Sequence, residues 1–305
     1  MIKTVILSMF LPILAGGGLV ALCWLLPPLR KWKWLSSVAY GFGIAVAVFA
    51  SQAAENGIPE FPPTERKQWL GLAAVLAAVF AVYGSLTGHA GKERSWPSTE
   101  FFAVLAGAIV ACLPFFAQFA GGELKPLFTG TGPADHVAMG LAVTVGFLAL
   151  DRIVESRPGA TLPLVLFITF AGLAPIADAA SWITLTFLCA TVAGTSLIAA
   201  VAARFGGSPS IGRGGLLAAV VLLVIFSVAG YRQTYGEFPW WTWGLAAAAP
   251  LVLLPLEHPL FGKLPAWGGL TLRLVLVAAI VGTAVGIAVQ AGGGGEAAND
   301  YGGFK

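Results

Sequence analysis

The sequence predicts an all-α integral membrane protein, a polytopic bundle of about ten transmembrane helices joined by short loops. Three observations carry that reading. Only 10% of the 305 residues are charged, 58% are hydrophobic and the mean hydropathy is +0.86, whereas soluble domains carry about 25% charged residues. Apolar runs of ~20 residues, the length that crosses a ~30 Å hydrocarbon core, recur along the whole chain. No polar stretch is long enough to form a separate soluble domain. Residues 1–290 therefore read as a transmembrane helical domain, followed at 291–305 by a flexible Gly-rich tail, "AGGGGEAANDYGGFK".

The first apolar run, Val5 to Leu26, exceeds the 7–15 residues of a secretory signal core. It ends in Trp24, two prolines and "LRKWKW", without a small-residue cleavage site, and reads as a retained first helix. The further spans fall at 35–54, 69–87, 101–120, 136–153, 161–178, 181–203, 214–230, 240–256 and 268–290. Before the third, "IPEFPPTERKQWLG" (58–71) reads as a helix start. Pro62 and Pro63 suit a first turn, where the missing N–H costs nothing. Glu65 lies near the positive end of the helix dipole, which makes it both a cap and a candidate binding residue, and Trp69 is expected at the membrane interface. From Thr161 to Ala203 the only charge in 43 residues is Asp178. A single helix would be roughly 64 Å long, twice the hydrocarbon thickness, so "APIADAAS" must be a tight turn between two helices. Asp178 is expected to cap the second of them or to serve as an ion or proton site.

Orientation follows from the basic residues of alternate loops. One side collects Arg30, Lys31, Lys33, Lys92, Arg94, Arg152, Arg157, Arg204, Arg213, Lys263 and Arg273; the other has Lys3, Arg66, Lys67, Lys125, Arg232 and Lys305. The richer side belongs in the cytoplasm. A multi-pass protein of a bacterial-type inner membrane with both termini extracytoplasmic is expected.

Charge inside hydrocarbon is expensive, so intramembrane ionisable residues are the best functional pointers. Arg273 is the deepest basic residue. It either snorkels to the cytoplasmic surface or pairs with Glu257 or Asp151 to fix packing or hold an anion. Thr184, Thr191 and Thr195 share one helix face; they pack against a neighbour or line a polar path ending near Asp178. "AGGG" (15–18) and "GFG" (41–43) suggest close helix approach. The glycine-rich loop "FGGSPSIGRGG" (205–215) lacks a Walker A lysine and a preceding strand, so a phosphate site is a poor fit. His89, His136 and His258 are placed at membrane boundaries on different sides, and Cys23, Cys112 and Cys189 form no CxxC pair. No cofactor or metal is implied. "EFPPTERKQWLGLAA" (60–74) has an echo in "EFPWWTWGLAA" (237–247), which shared helix-start chemistry explains better than duplication.

Three functional readings stay open. The first is a small-solute permease. In length and span count the chain resembles the drug/metabolite transporter superfamily, but it carries no motif of that family, and outside termini depart from the cytoplasmic termini expected there. The second is a non-catalytic scaffold, assembly factor or accessory subunit, with membrane-protein partners. The third is a membrane-embedded enzyme acting on a lipid-like substrate; no catalytic motif supports it, and a non-enzyme is the expectation. Membrane lipids are the expected surroundings. The net charge of +3 is too small and too scattered for a nucleic-acid partner.

Overall fold

The computed structural model describes residues 2–58, 66–87, 99–119, 133–156, 159–207, 209–234, 239–258 and 265–293. Among them every regular element is helical. Eight helices are long and apolar enough to cross a membrane, and two shorter apolar helices, Glu100–Cys112 and Trp241–Leu256, complete the set. The membrane bundle is thus as expected; among the described residues eight of the ten expected spans have the length of a membrane crossing.

The first helix, α1, runs through Ile2–Val5, a π turn at Ile6–Phe10, and Leu11–Leu25. The π turn has a local cause. Pro12 has no N–H to offer the Ser8 carbonyl four residues back, and that carbonyl instead accepts the Ser51 hydroxyl of the next span. The others are α2 (Lys33–Asn56), α3 (Arg66–Thr87), α4 (Thr99–Phe119), α5 (Pro133–Ser156), α6 (Thr161–Ala179), α7 (Ile183–Phe205) and α8 (Gly212–Gln233). The ninth, α9, is broken: Trp240–Ala248 is α-helical, Ala249–Val252 is a 3-10 turn, and Leu253–Leu256 resumes. Pro250 and Pro255 each remove a ladder donor there, which accounts for the break. The last helix, α10, is Ala266–Gly293.

Two helices organise the bundle. α2 packs on α1, α3, α7 and α8, while α8 packs on α2, α3, α5 and α9. α8 is apolar on every side, and Leu216 through Ile225 are all buried without interruption, as a helix enclosed by others must be. α6 joins α7 to α10, and α4 packs chiefly on α5.

Glycine sets the closest approaches, as "AGGG" and "GFG" suggested. A Cβ on Gly16 would stand 2.2 Å from the Gly43 carbonyl oxygen, and one on Gly41 2.2 Å from the Ala81 methyl. Without a hydrophobic effect between helices in lipid, such contact is the main source of attraction. The loop "FGGSPSIGRGG" serves the same end. Gly214 of α8 lies against the backbone of α3 at Gly84. The N–H groups of Gly214 and Gly215, orphan donors of the first turn, both donate to Ser37 Oγ of α2 at 3.1 and 3.2 Å. Ser85 of α3 donates to the same oxygen at 2.8 Å.

The turn between α6 and α7 corrects one expectation. Asp178 does not cap α7, whose N-cap is Trp182 with no side-chain bond. Instead Trp182 N–H donates to the Ala177 carbonyl and Ser181 N–H to that of Asp178, with Ser181 at φ +55°. That is a Schellman ending with serine where glycine is usual. The Asp178 side chain points out, exposed.

Candidate functional site

Two regions depart from a purely apolar interior. The first is a polar seam where α1, α2 and α7 meet. Gln52, on α2, is fully buried, and neither amide atom has a hydrogen-bond partner among the described residues. One residue before it, Ser51 reaches α1 through the Ser8 carbonyl. Three residues after it, Glu55 accepts the Thr184 hydroxyl of α7 at 2.8 Å. Thr191 satisfies itself on the carbonyls of Phe187 and Leu188, both at 2.8 Å. Thr195 is fully buried with its hydroxyl unpartnered among the described residues, and its neighbour Ser196 bonds Tyr40 of α2 at 2.8 Å. The threonine stripe therefore faces α2 and ends at Glu55, not at Asp178. Glu55 was missed because the second span was closed at residue 54, and Gln52, inside that span, because it carries no charge; "SQAAEN", at its end, was the available signal.

The second region is a groove of about 520 Å³ between α5 and α9, floored by α8. Its walls are small: Ala138, Ala142 and Gly146 on α5, Gly244, Ala247 and Ala248 on α9. Ser227 and Trp243 line it, both buried, with Oγ and Nε1 unpartnered among the described residues. The Trp243 ring is seated on Gly230, where a Cβ would come within 2.2 Å. One end carries Asp135 and Arg232, paired at 2.5 Å, with the Arg232 guanidinium 5.5 Å from the Tyr231 ring centre. Cation–π contact adds to that placement.

A second pair, Asp151 with Arg213 at 3.0 Å, joins the other ends of α5 and α8. Asp151 is thus committed to Arg213 and not to Arg273, a correction to one of its two expected partnerships. Arg273 meets Glu257: Nη2 lies 3.0 Å from Oε1 and 3.4 Å from the Leu256 carbonyl at the end of α9. A cation there also suits the helix C-terminus. Gly269, one turn back, leaves room for Nη1, which a Cβ would approach to 3.1 Å. Arg273 is 6% exposed, so it is held inside rather than snorkelled out.

Trp69, expected at the interface, is buried near the start of α3. Glu65 lies outside the described residues, as does His89. His136 is buried in the first turn of α5, and His258, after α9, is exposed. Among the described residues no cluster of His, Cys, Asp or Glu could hold a metal ion. Cys23, Cys112 and Cys189 are free thiols. Comparison with protein-family models, curated proteins and solved structures finds no match to this chain.

Proposed function

We propose that the chain is a permease for a small polar solute, crossing a bacterial-type inner membrane ten times with both termini outside. Relative helix direction supports the ten crossings. The contacts Ser37–Gly214 and Gly41–Ala218 match α2 and α8 in the same direction, which requires α4 to cross between them. The contacts Gly172–Val281 and Ala179–Gly292 likewise match α6 and α10, which requires α9 to cross despite its break. Its three pieces together are about 27 Å long, close to the ~30 Å core. The basic-residue bias then puts the Gln52 end of the bundle outside.

The observation that carries the transport reading is Gln52. A buried amide without partners costs roughly 1–3 kcal/mol, and polar groups retained at such cost inside membranes mark solute pathways. Its donor and acceptor, beside the Thr195 hydroxyl, suit a neutral solute with hydroxyl or amide groups. The scarcity of buried charge weighs against ion-coupled uptake of a charged one. The test is stopped-flow light scattering of proteoliposomes challenged with urea or glycerol. Protein-dependent entry is expected, and Gln52→Leu should slow it roughly tenfold, the worth of one hydrogen bond, without lowering the melting temperature. If neither solute enters through the protein, or Gln52→Leu conducts like the parent, the reading fails and a non-transporting subunit takes its place.

A further inference from the structure

We propose that the groove between α5 and α9 holds one acyl chain of a zwitterionic phospholipid, its phosphate on Arg232 and its ammonium on Asp135. The groove stands apart from the Gln52 seam, because Val220, Leu223, Ser227 and Tyr231 of α8, which floor it, lie on the opposite face from Gly214 and Ala218, which touch α2 and α3. Within a membrane span its exposed walls face lipid, and lipid is what fills an open apolar channel there.

Dimensions suit a lipid chain. Asp135 and Leu150 bound the α5 wall, and the fifteen steps between them cover about 22 Å at helical rise. A volume of about 520 Å³ over that length leaves a cross-section of about 24 Å², which admits one hydrocarbon chain along the whole groove. A partner helix seated on the small-residue stripe of Ala138, Ala142 and Gly146 is the alternative that cross-linking tests.

Charge at the mouth chooses the headgroup. Arg232 spends Nη2 on Asp135, while its Nε is buried and has no partner among the described residues. A phosphate oxygen supplies what that donor lacks, with a short charge-assisted bond. The Asp135 side chain is 46% exposed, so a headgroup ammonium reaches it from the water side. A purely anionic headgroup would meet the same carboxylate and be repelled. Ser227, deeper in, offers its unpartnered hydroxyl to an ester oxygen of the same lipid.

The full-length protein is reconstituted in nanodiscs of equal phosphatidylethanolamine and phosphatidylglycerol, extracted gently and examined by native mass spectrometry. One retained phosphatidylethanolamine per chain is expected. Ala142→Phe and, on the facing wall, Gly244→Leu fill the groove from exposed positions; each should lower retention roughly tenfold, with the parent's melting temperature as the check on folding. Arg232→Gln should do the same, while Asp135→Asn should erase the preference over phosphatidylglycerol. Equal or greater retention of phosphatidylglycerol by the parent overturns the headgroup assignment. Retention unmoved by both groove-filling variants, no retained lipid, or a second polypeptide found in the groove by cross-linking overturns the site. None of these outcomes depends on solute uptake.

Discussion

Arg273 tests how this fold keeps a charge inside its hydrocarbon span. Replacing it with glutamine removes a charge-assisted bond to Glu257 at 3.0 Å and a long contact to the Leu256 carbonyl at 3.4 Å. The first contributes about 1.5–3 kcal/mol and the second little. Breaking a fully buried pair costs about 3–5 kcal/mol because the remaining ion is stranded. The Glu257 side chain is 24% exposed, so it turns to water and escapes much of that penalty. Arg273→Gln is therefore expected to cost about 2 kcal/mol. Arg273→Lys keeps the charge but loses the planar fork, and should cost about half as much. Arg273→Gln combined with Glu257→Gln should recover roughly half of the single-variant loss, since no carboxylate is then left behind. Thermal unfolding of the purified protein in detergent, followed by tryptophan fluorescence, reads all three. At about 2–4 °C per kcal/mol, the glutamine variant should melt roughly 5 °C lower. Variants that all melt with the parent would falsify the pairing argument and make Arg273 an interfacial anchor.

Two further outcomes follow from local geometry. Ser181→Gly relieves a left-handed residue at the Schellman position, where φ is +55°, and should raise stability by about 1 kcal/mol; a lower melting temperature would show that the serine side chain matters more than its backbone. Ser37→Ala removes the acceptor for two first-turn N–H groups of α8 and should cost about 1–2 kcal/mol, with faster amide exchange at Gly214 and Gly215 as the specific sign. Unchanged exchange there would mean the cap contributes nothing.

The bundle was legible because membrane spans are written in long apolar runs. The close approaches were legible too, since "AGGG" and "GFG" leave no side chain to keep α1 and α2 apart. Partnerships were not. Asp151 and Glu257 were equally placed to meet Arg273 by sequence distance from the cytoplasmic surface, and only the α5–α8 contact, which no local pattern announces, assigns Asp151 to Arg213. The groove was invisible for a similar reason: alanines on α5 and α9 read as helix formers until tertiary packing sets them opposite each other. The echo of "EFPPTERKQW" in "EFPWWTW" does have a structural counterpart. Trp69 and Trp243 are each the fourth residue of their helix, both are buried, and both indole N–H groups lack partners among the described residues.

Those two indoles belong to a wider asymmetry. Gly84–Gly214 matches α3 to α8 so that Trp69 lies level with Ala229, while Trp243 touches the adjacent Gly230. By the α2–α8 register Gln52 reaches the same level. Ser8, Asn56, Ser227, Arg232 and Thr242, each with a buried polar atom unpartnered among the described residues, also lie within about 9 Å of that end of their helices. At the opposite end several described polar groups are satisfied: Ser37 with Ser85 and two backbone donors, Arg213 with Asp151, Trp24 with the Ser36 carbonyl at 3.0 Å. Among the described residues, only Thr195, near the middle, and Arg273 Nε fall outside the pattern. A bundle built for stability alone has no reason to place its unmet polar groups at one end, since each costs roughly 1–3 kcal/mol wherever it is buried. An end that meets water or a polar solute has one, because those donors and acceptors are then used. On the permease reading proposed above, the satisfied end is the seal and the unsatisfied end is the mouth.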